Sequence, residues 1–162
     1  MDASPILGEV LKAMNRHRLE AVMIGNAAGA LHGAPVTTMD IDFMFRETPL
    51  NLRKLKAVAK SLEGVILRPF YPVSNLYRLC NDDRGIQLDF LPVIHGIRSF
   101  EGLKARSSEV EILGERLLLA SLEDIVKSKR TAGRARDLAV LPTLEETLRI
   151  QRETRRNEDE KA

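Results

Sequence analysis

Two closely spaced acidic residues could do chemistry together, and a third stands in apolar surroundings farther along the chain. Asp40 and Asp42 lie in the run Asp-Ile-Asp-Phe-Met-Phe that ends at Phe45, and Asp89 lies in Ile86–Pro92 (IQLDFLP). Side chains alternate along an extended chain, so Asp40 and Asp42 share one face while Ile41, Phe43 and Phe45 share the other. Neighbouring carboxylates repel each other and resist leaving water. Such a pair either faces solvent or holds a cation, and Mg²⁺ is commonly bound by one or two carboxylates together with substrate phosphates. An isolated D-x-D reads more simply as the solvated side of an amphipathic strand, and only its context favours a site. Asp89 shares a face with Gln87, opposite Leu88 and Phe90. Either an ion pair with a neighbour such as Arg78 or a place in a site would account for it.

The elements needed to position these residues are legible nearby. Ala21–Ile24 reads as a strand, Gly25-Asn26 as a tight turn, and the Ala-rich stretch after it as a short helix. A loop then leads to the strand carrying Asp40 and Asp42. This order sets backbone N–H groups and a helix N-terminus where a phosphate could sit. Leu76–Asn81 and Ile86–Pro92, joined through Asp82-Asp83-Arg84-Gly85, read as a hairpin. Ser4-Pro5 opens an amphipathic helix, Pro49–Leu62 forms a second, and Ser99–Ala105 a short third. Val110–Leu119, with Gly114 inside it, suggests a hairpin or bulge. Ser121 begins a helix that runs to Thr131, and a last helix follows Gly133, with Pro142 set to kink or split it. Residues 1–150 are expected to form one domain. Gln151–Ala162 lacks an apolar period and is expected to fray or be disordered.

The stretch Ala21–Arg46 resembles the signature of the nucleotidyltransferase superfamily, the DNA-polymerase-β-like fold: Gly-Gly or Gly-Ser, a short helix, then D-x-D or D-x-E. Ala27, Ala28, His32, Gly33, Thr38, Asp40, Ile41 and Asp42 are similar to the small stand-alone members, which include the minimal nucleotidyltransferases and the AbiEii-like toxins of toxin–antitoxin loci. Asn26 departs from the pattern, standing where the family has Gly or Ser; Asn tolerates left-handed geometry and can donate a hydrogen bond. The resemblance implies an α+β fold, a mixed β-sheet with helices packed mainly on one face and further helices at the C-terminal end. It implies that Asp40, Asp42 and Asp89 are catalytic and hold Mg²⁺ or Mn²⁺. Gly25, Asn26, Thr38, Lys129 and Arg134 would contact the nucleotide. Arg134 and Asp137, three apart on a helix, could instead simply pair with each other. His32 would either touch substrate or cap a helix or turn.

Composition bounds these expectations. The chain has 162 residues, 44% hydrophobic and 30% charged, with a net charge of +2, which gives no argument for wholesale nucleic-acid binding and leaves room for local basic patches. One cysteine, Cys80, excludes an internal disulfide framework and fits a reducing cytosol. No apolar run approaches a membrane span. The implied activity is metal-dependent transfer of a nucleoside monophosphate from a triphosphate such as ATP to a hydroxyl on tRNA or protein. The lone cysteine and the absence of a long apolar run lead to the expectation of a cytoplasmic setting, and the resemblance implies a cognate toxin or antitoxin partner. The residues leave open a non-catalytic member that binds a partner, which Asn26 favours, and a sensor that binds nucleotide without turnover.

Overall fold

The computed structural model describes residues 4–37, 40–69 and 75–162. In chain order the elements are α1 (Ser4–Arg16), β1 (Ala21–Ile24), α2 (Gly25–Leu31), β2 (Ile41–Phe45), α3 (Pro49–Ser61), β3 (Val65–Leu67), β4 (Tyr77–Asn81), β5 (Ile86–Leu91), α4 (Phe100–Arg106), β6 (Ser108–Ile112), β7 (Glu115–Leu119), α5 (Leu122–Ala132) and α6 (Ala135–Lys161). Among the described residues the strands form one seven-stranded sheet in the order β3-β4-β5-β2-β1-β7-β6. It is mixed: β2 runs parallel to β5 and β1 parallel to β7, and the remaining neighbours are antiparallel. This is the expected α+β architecture.

The centre of the sheet is set by aromatic packing. Phe43 and Phe90 are register partners across β2 and β5, and their rings stack with centroids 5.1 Å apart. Phe45 meets Phe90 edge-on at 5.9 Å and Tyr77 at 5.3 Å. Such pairs add to the burial of the rings themselves. A slip of one residue would turn every side chain of β2 to the other face, so this stack holds the register. The opposite face of β2 is not simply solvated, as the alternation suggested. Met44 is fully buried, as is its partner Val22 on β1. That face opens only at the Asp42 end.

Local signals account for most element ends. Thr48, Ser99 and Ser121 cap α3, α4 and α5 through side-chain oxygens. Gly85 and Gly133 take left-handed conformations that close the β4–β5 turn and α5. Asn51, buried on α3, donates to the carbonyls of Glu20 and Arg46 and accepts from the Glu20 N–H, tying α3 to the start of β1 and the end of β2.

Two further features differ from the sequence expectation. Asp40 lies just before β2 rather than inside it. The segment Gln151–Ala162 is not frayed, because α6 continues unbroken through Pro142 to Lys161. Leu141, Leu144 and Leu148 bury one side of the helix. Beyond them the missing apolar period is replaced by charge pairing along the helix: Arg149 bonds Glu146 at 2.5 Å and Glu153 at 2.6 Å. Leu144 packs against Gly29 of α2, where an added Cβ would come within 2.8 Å of its Cδ2.

Replacing Phe43 by alanine should cost about 3–5 kcal/mol, the usual range for emptying a buried aromatic site. Urea unfolding measures it directly, and a loss below 1 kcal/mol would show that the stack does not hold β2 against β5.

Candidate active site

β2 carries Asp42 to the sheet position flanked by Ile24 on β1 and Asp89 on β5. Register partners on adjacent strands point the same way, so Asp42 and Asp89 lie side by side, with strands about 4.8 Å apart. Asp40, exposed, precedes them on the same chain. The Asp42 carboxyl is pushed up to about 6, first by burial, then by the charges of Asp89 and Asp40, while Lys129 and Arg136 pull the other way. This is the electrostatic signature of a carboxylate cluster short of positive charge.

Gly25 forms the floor beside it. Its φ is +69°, and a Cβ there would lie 3.3 Å from Asp42 Oδ2. Glycine therefore serves twice, taking a left-handed conformation and letting the carboxylate approach the backbone. No loop separates β1 from α2, because the helix begins at Gly25 itself. Asn26 Oδ1 is buried without a hydrogen-bond partner, alone in this among the described side chains. An orphaned acceptor of this kind matches a donor or a cation rather than a phosphate oxygen.

Asp89 is not a free carboxylate. Arg78, its register partner on β4, donates from Nε to Oδ1 at 2.8 Å and from Nη2 to Oδ2 at 3.1 Å. The ion pair that the sequence allowed is therefore present, in a site next to Asp42. Among the described residues no group of three or more His, Cys, Asp or Glu side chains is arranged to hold a metal ion. Asp40 and Asp42 suit a divalent cation by charge and by chemistry. Asp89, with both oxygens engaged by a guanidinium, does not complete the set in this arrangement.

The cations expected from the C-terminal helices are differently employed. Asp137 is fully buried at the start of α6. It accepts from Arg134 Nε at 2.6 Å and lies 3.4 Å from Lys129 Nζ. Burial alone would raise its carboxyl, but Arg134 and Lys129 outweigh that and hold it below the usual range. Its carboxylate also accepts from the Arg134 N–H, so it caps α6. The alternative pairing of Arg134 with Asp137 is thus what the structure contains. Lys129, 17% exposed, is shared: it pairs with Asp137 and its charge also acts on Asp42. Arg136, exposed at the first turn of α6, acts on Asp42 too. Sequence reasoning passed over Arg136; its place two residues after Arg134, at a helix start, was the available signal.

His32 occupies the cap position of α2 and stitches elements together. Its Nε2–H donates to the Ala120 carbonyl at 2.7 Å, which leaves Nδ1 to accept from the Gln151 amide at 3.2 Å. A groove beside His32, Pro35, Pro142 and Ile150 takes no residue from the acidic cluster. Thr38, expected at the nucleotide, lies outside the described residues. No described helix is long and apolar enough to cross a membrane.

No protein-family model and no curated protein matches the sequence. Solved structures do resemble it. The antibiotic-resistance factor ANT(2'')-Ia superposes with a TM-score of 0.64 at 15% identity, over 98% of this chain and 94% of its own. The same factor in complex with adenylyl-2''-tobramycin gives 0.64 at 17% identity, over 90% and 88%. A candidate nucleotidyltransferase from Thermotoga maritima gives 0.62 at 19% identity, over 85% and 89%. At these identities the likeness is one of fold, and the chain has the nucleotidyltransferase fold.

Two outcomes follow from the charges. Asp42 titrates near 3.8 when unfolded and near 6 when folded, so the folded state holds the proton more tightly and the ionised form burdens it above pH 6. In metal-free buffer Asp42→Asn should therefore stabilise the protein at pH 8 by on the order of 2–3 kcal/mol, a gain that shrinks below pH 6 and vanishes below about pH 4. Denaturant titrations across that range test this, and a gain independent of pH would refute the cluster. Asp137→Ala should cost about 3 kcal/mol, because Lys129 loses its buried partner; a loss under 1 kcal/mol would deny the pair a structural role.

Proposed function

We propose that this protein is an enzyme that transfers a nucleoside monophosphate from a nucleoside triphosphate to an acceptor hydroxyl. The observation that carries this reading is Asp42, in register beside Asp89, with its carboxyl pushed up to about 6 by burial and by two neighbouring carboxylates. The fold shared with ANT(2'')-Ia supports it.

Asp40 and Asp42 are the residues to hold a divalent cation, Mg²⁺ or Mn²⁺, which when bound would offset charge on the triphosphate. Gly25 keeps the floor of the site free of a side chain, and Asn26 offers a buried acceptor to a donor group of the nucleotide. Lys129 and Arg136 supply positive charge opposite Asp42. In the transfer, the acceptor oxygen bonds to the α-phosphorus as the bond from that phosphorus to the pyrophosphate oxygen breaks. The hydroxyl proton passes to a carboxylate of the cluster and pyrophosphate leaves. Positioning and charge supply most of the catalysis in such transfers. Hydroxyls of tRNA, protein and aminoglycosides are the acceptor classes to examine; the last is the class seen adenylylated with ANT(2'')-Ia.

A second reading is a partner-binding member of a toxin–antitoxin pair that no longer catalyses. The ion pair that occupies Asp89 favours it, together with Asn26 in the turn. Transfer of α-labelled nucleotide separates the two. The wild type should label an acceptor with Mg²⁺ and one of the triphosphates, and Asp42→Asn should reduce this by about 100-fold or more, the scale of losing a principal charge-stabilising group. Mg²⁺ with that triphosphate should also raise the melting temperature of the wild type and leave that of Asp42→Asn in place. Absence of both effects with all triphosphates and acceptors would favour the partner-binding reading.

A further inference from the structure

Many exposed cations of this chain sit in ion pairs, as Arg106 does with Asp124, Arg130 with Glu145 and Arg149 with Glu146. α1 and α3 differ. No acidic residue lies between Val10 and Leu19 or between Pro49 and Leu62. Lys12 and Arg16 of α1 are exposed, as is Arg18 just past its end. On α3 Arg53, Lys56 and Lys60 are exposed and, three and four apart, form one stripe opposite the buried Leu55, Val58 and Leu62. The helices touch where His17 Nε2 is hydrogen-bonded to Ser61 Oγ at 2.7 Å. Half-buried Lys54, two turns before Ser61 on the same side of α3, joins the two sets of cations. None of these side chains takes part in an ion pair among the described residues. The flanking acids Glu9 and Glu20 are engaged by Arg84 and by Arg46, and the single charge of Glu63, past the end of α3, leaves the excess in place. The whole chain carries only +2, so the positive charge is concentrated here and offset elsewhere.

We propose that α1 and α3 together form a docking surface for RNA, which they hold through its phosphodiester backbone. A surface of like charges repels itself, and a chain of phosphates neutralises it while releasing its own condensed counterions. A membrane fits less well. The apolar sides of both helices, Leu11 and Met14 on one and Leu55 and Val58 on the other, are already buried in the core, which leaves no apolar face to insert. A protein partner would need an apolar centre to its interface, and between Arg53 and Lys60 no large hydrophobic side chain is exposed. The cations that act on Asp42 are Lys129 and Arg136, so this surface is separate from the acidic cluster. The choice of RNA over DNA rests on the nucleotidyl-transfer reading, in which tRNA is one of the acceptor classes; the attraction to a phosphodiester chain does not.

Fluorescence anisotropy of labelled bulk tRNA tests this, with the full chain in EDTA and without nucleoside triphosphate. The wild type should bind, and the logarithm of its association constant should fall against that of salt concentration with a slope of about −4 to −6, as for roughly five to seven phosphate contacts. Arg53→Gln, Lys56→Gln and Lys60→Gln combined should flatten the slope by about 2 to 3 and weaken binding at low salt by about 10-fold or more. Glutamine keeps the helix propensity of these exposed positions, which far-ultraviolet circular dichroism checks. Removing as many charges at the exposed Arg98, Arg156 and Lys161, also by glutamine, should change binding by no more than about two-fold, because distant exposed charges are screened. Absence of tRNA binding, or equal losses in the two triple variants, would overturn the surface. Equally tight binding to duplex DNA of the same length, or to phosphatidylserine vesicles, would overturn the assignment to RNA. Asp42→Asn should bind tRNA as the wild type does. If tRNA binds as expected and no acceptor is ever labelled, the nucleotidyl-transfer reading fails and the phosphate-binding surface stands.

Discussion

The structure depends on the register between β2 and β5. Stacking of Phe43 on Phe90 buries both rings on one face of the sheet, and side-chain alternation then forces Asp42 beside Asp89 on the other. The apolar face supplies the free energy, and the acidic face bears the opposing electrostatic cost. The cost is concentrated on Asp42, because the same face is closed by Met44 and Val22 only a residue or two away. A carboxylate with low-dielectric surroundings on one side and like charges on the other is relieved either by a proton or by a cation.

Positive charge is distributed around that cluster with different degrees of commitment. Arg78 is fully engaged with Asp89. Lys129 is divided between Asp42 and the buried Asp137. Arg136 is exposed at the start of α6. Asp137 makes this arrangement possible, since it caps α6, binds Arg134 and Lys129, and so seats the first turn of the last helix against α5. Leu144 against Gly29 then holds the body of α6 against α2. The charges opposite Asp42 are thus placed by packing between helices rather than by the strands that carry the carboxylates.

The C-terminal end of α6 shows a different balance. Past Leu148 the helix buries little, and charge pairs along its own length sustain it. Each such pair is worth only a few tenths of a kcal/mol, so this part of the helix depends on being continuous with a packed segment that has already met the cost of nucleation. His32, bridging Ala120 and Gln151, adds one tertiary anchor near the boundary.

The amino-acid sequence by itself determined the local elements and their faces. Alternation in IDFMF and IQLDF, helical spacing in α3 and α5, and capping residues such as Thr48, Ser99 and Ser121 act over a few residues, and nearby chemistry is enough to read them. The resemblance of Ala21–Arg46 pointed to the right fold because glycine, helix and paired acids lie close together in the chain. Only the tertiary structure decided which charges meet. Arg78 and Asp89 belong to paired strands, and whether they bond depends on the β4–β5 register. Lys129, Arg134 and Asp137 converge because α5 and α6 fold back on each other, and Arg136 reaches the field of Asp42 only once α6 is seated. The helicity of Gln151–Lys161 was equally hidden, because it rests on the packed turns before it and on pairing that a missing apolar period does not reveal. Long-range electrostatics falls off with distance in space and not along the chain, so its outcome could not be read before the sheet and helices were assembled.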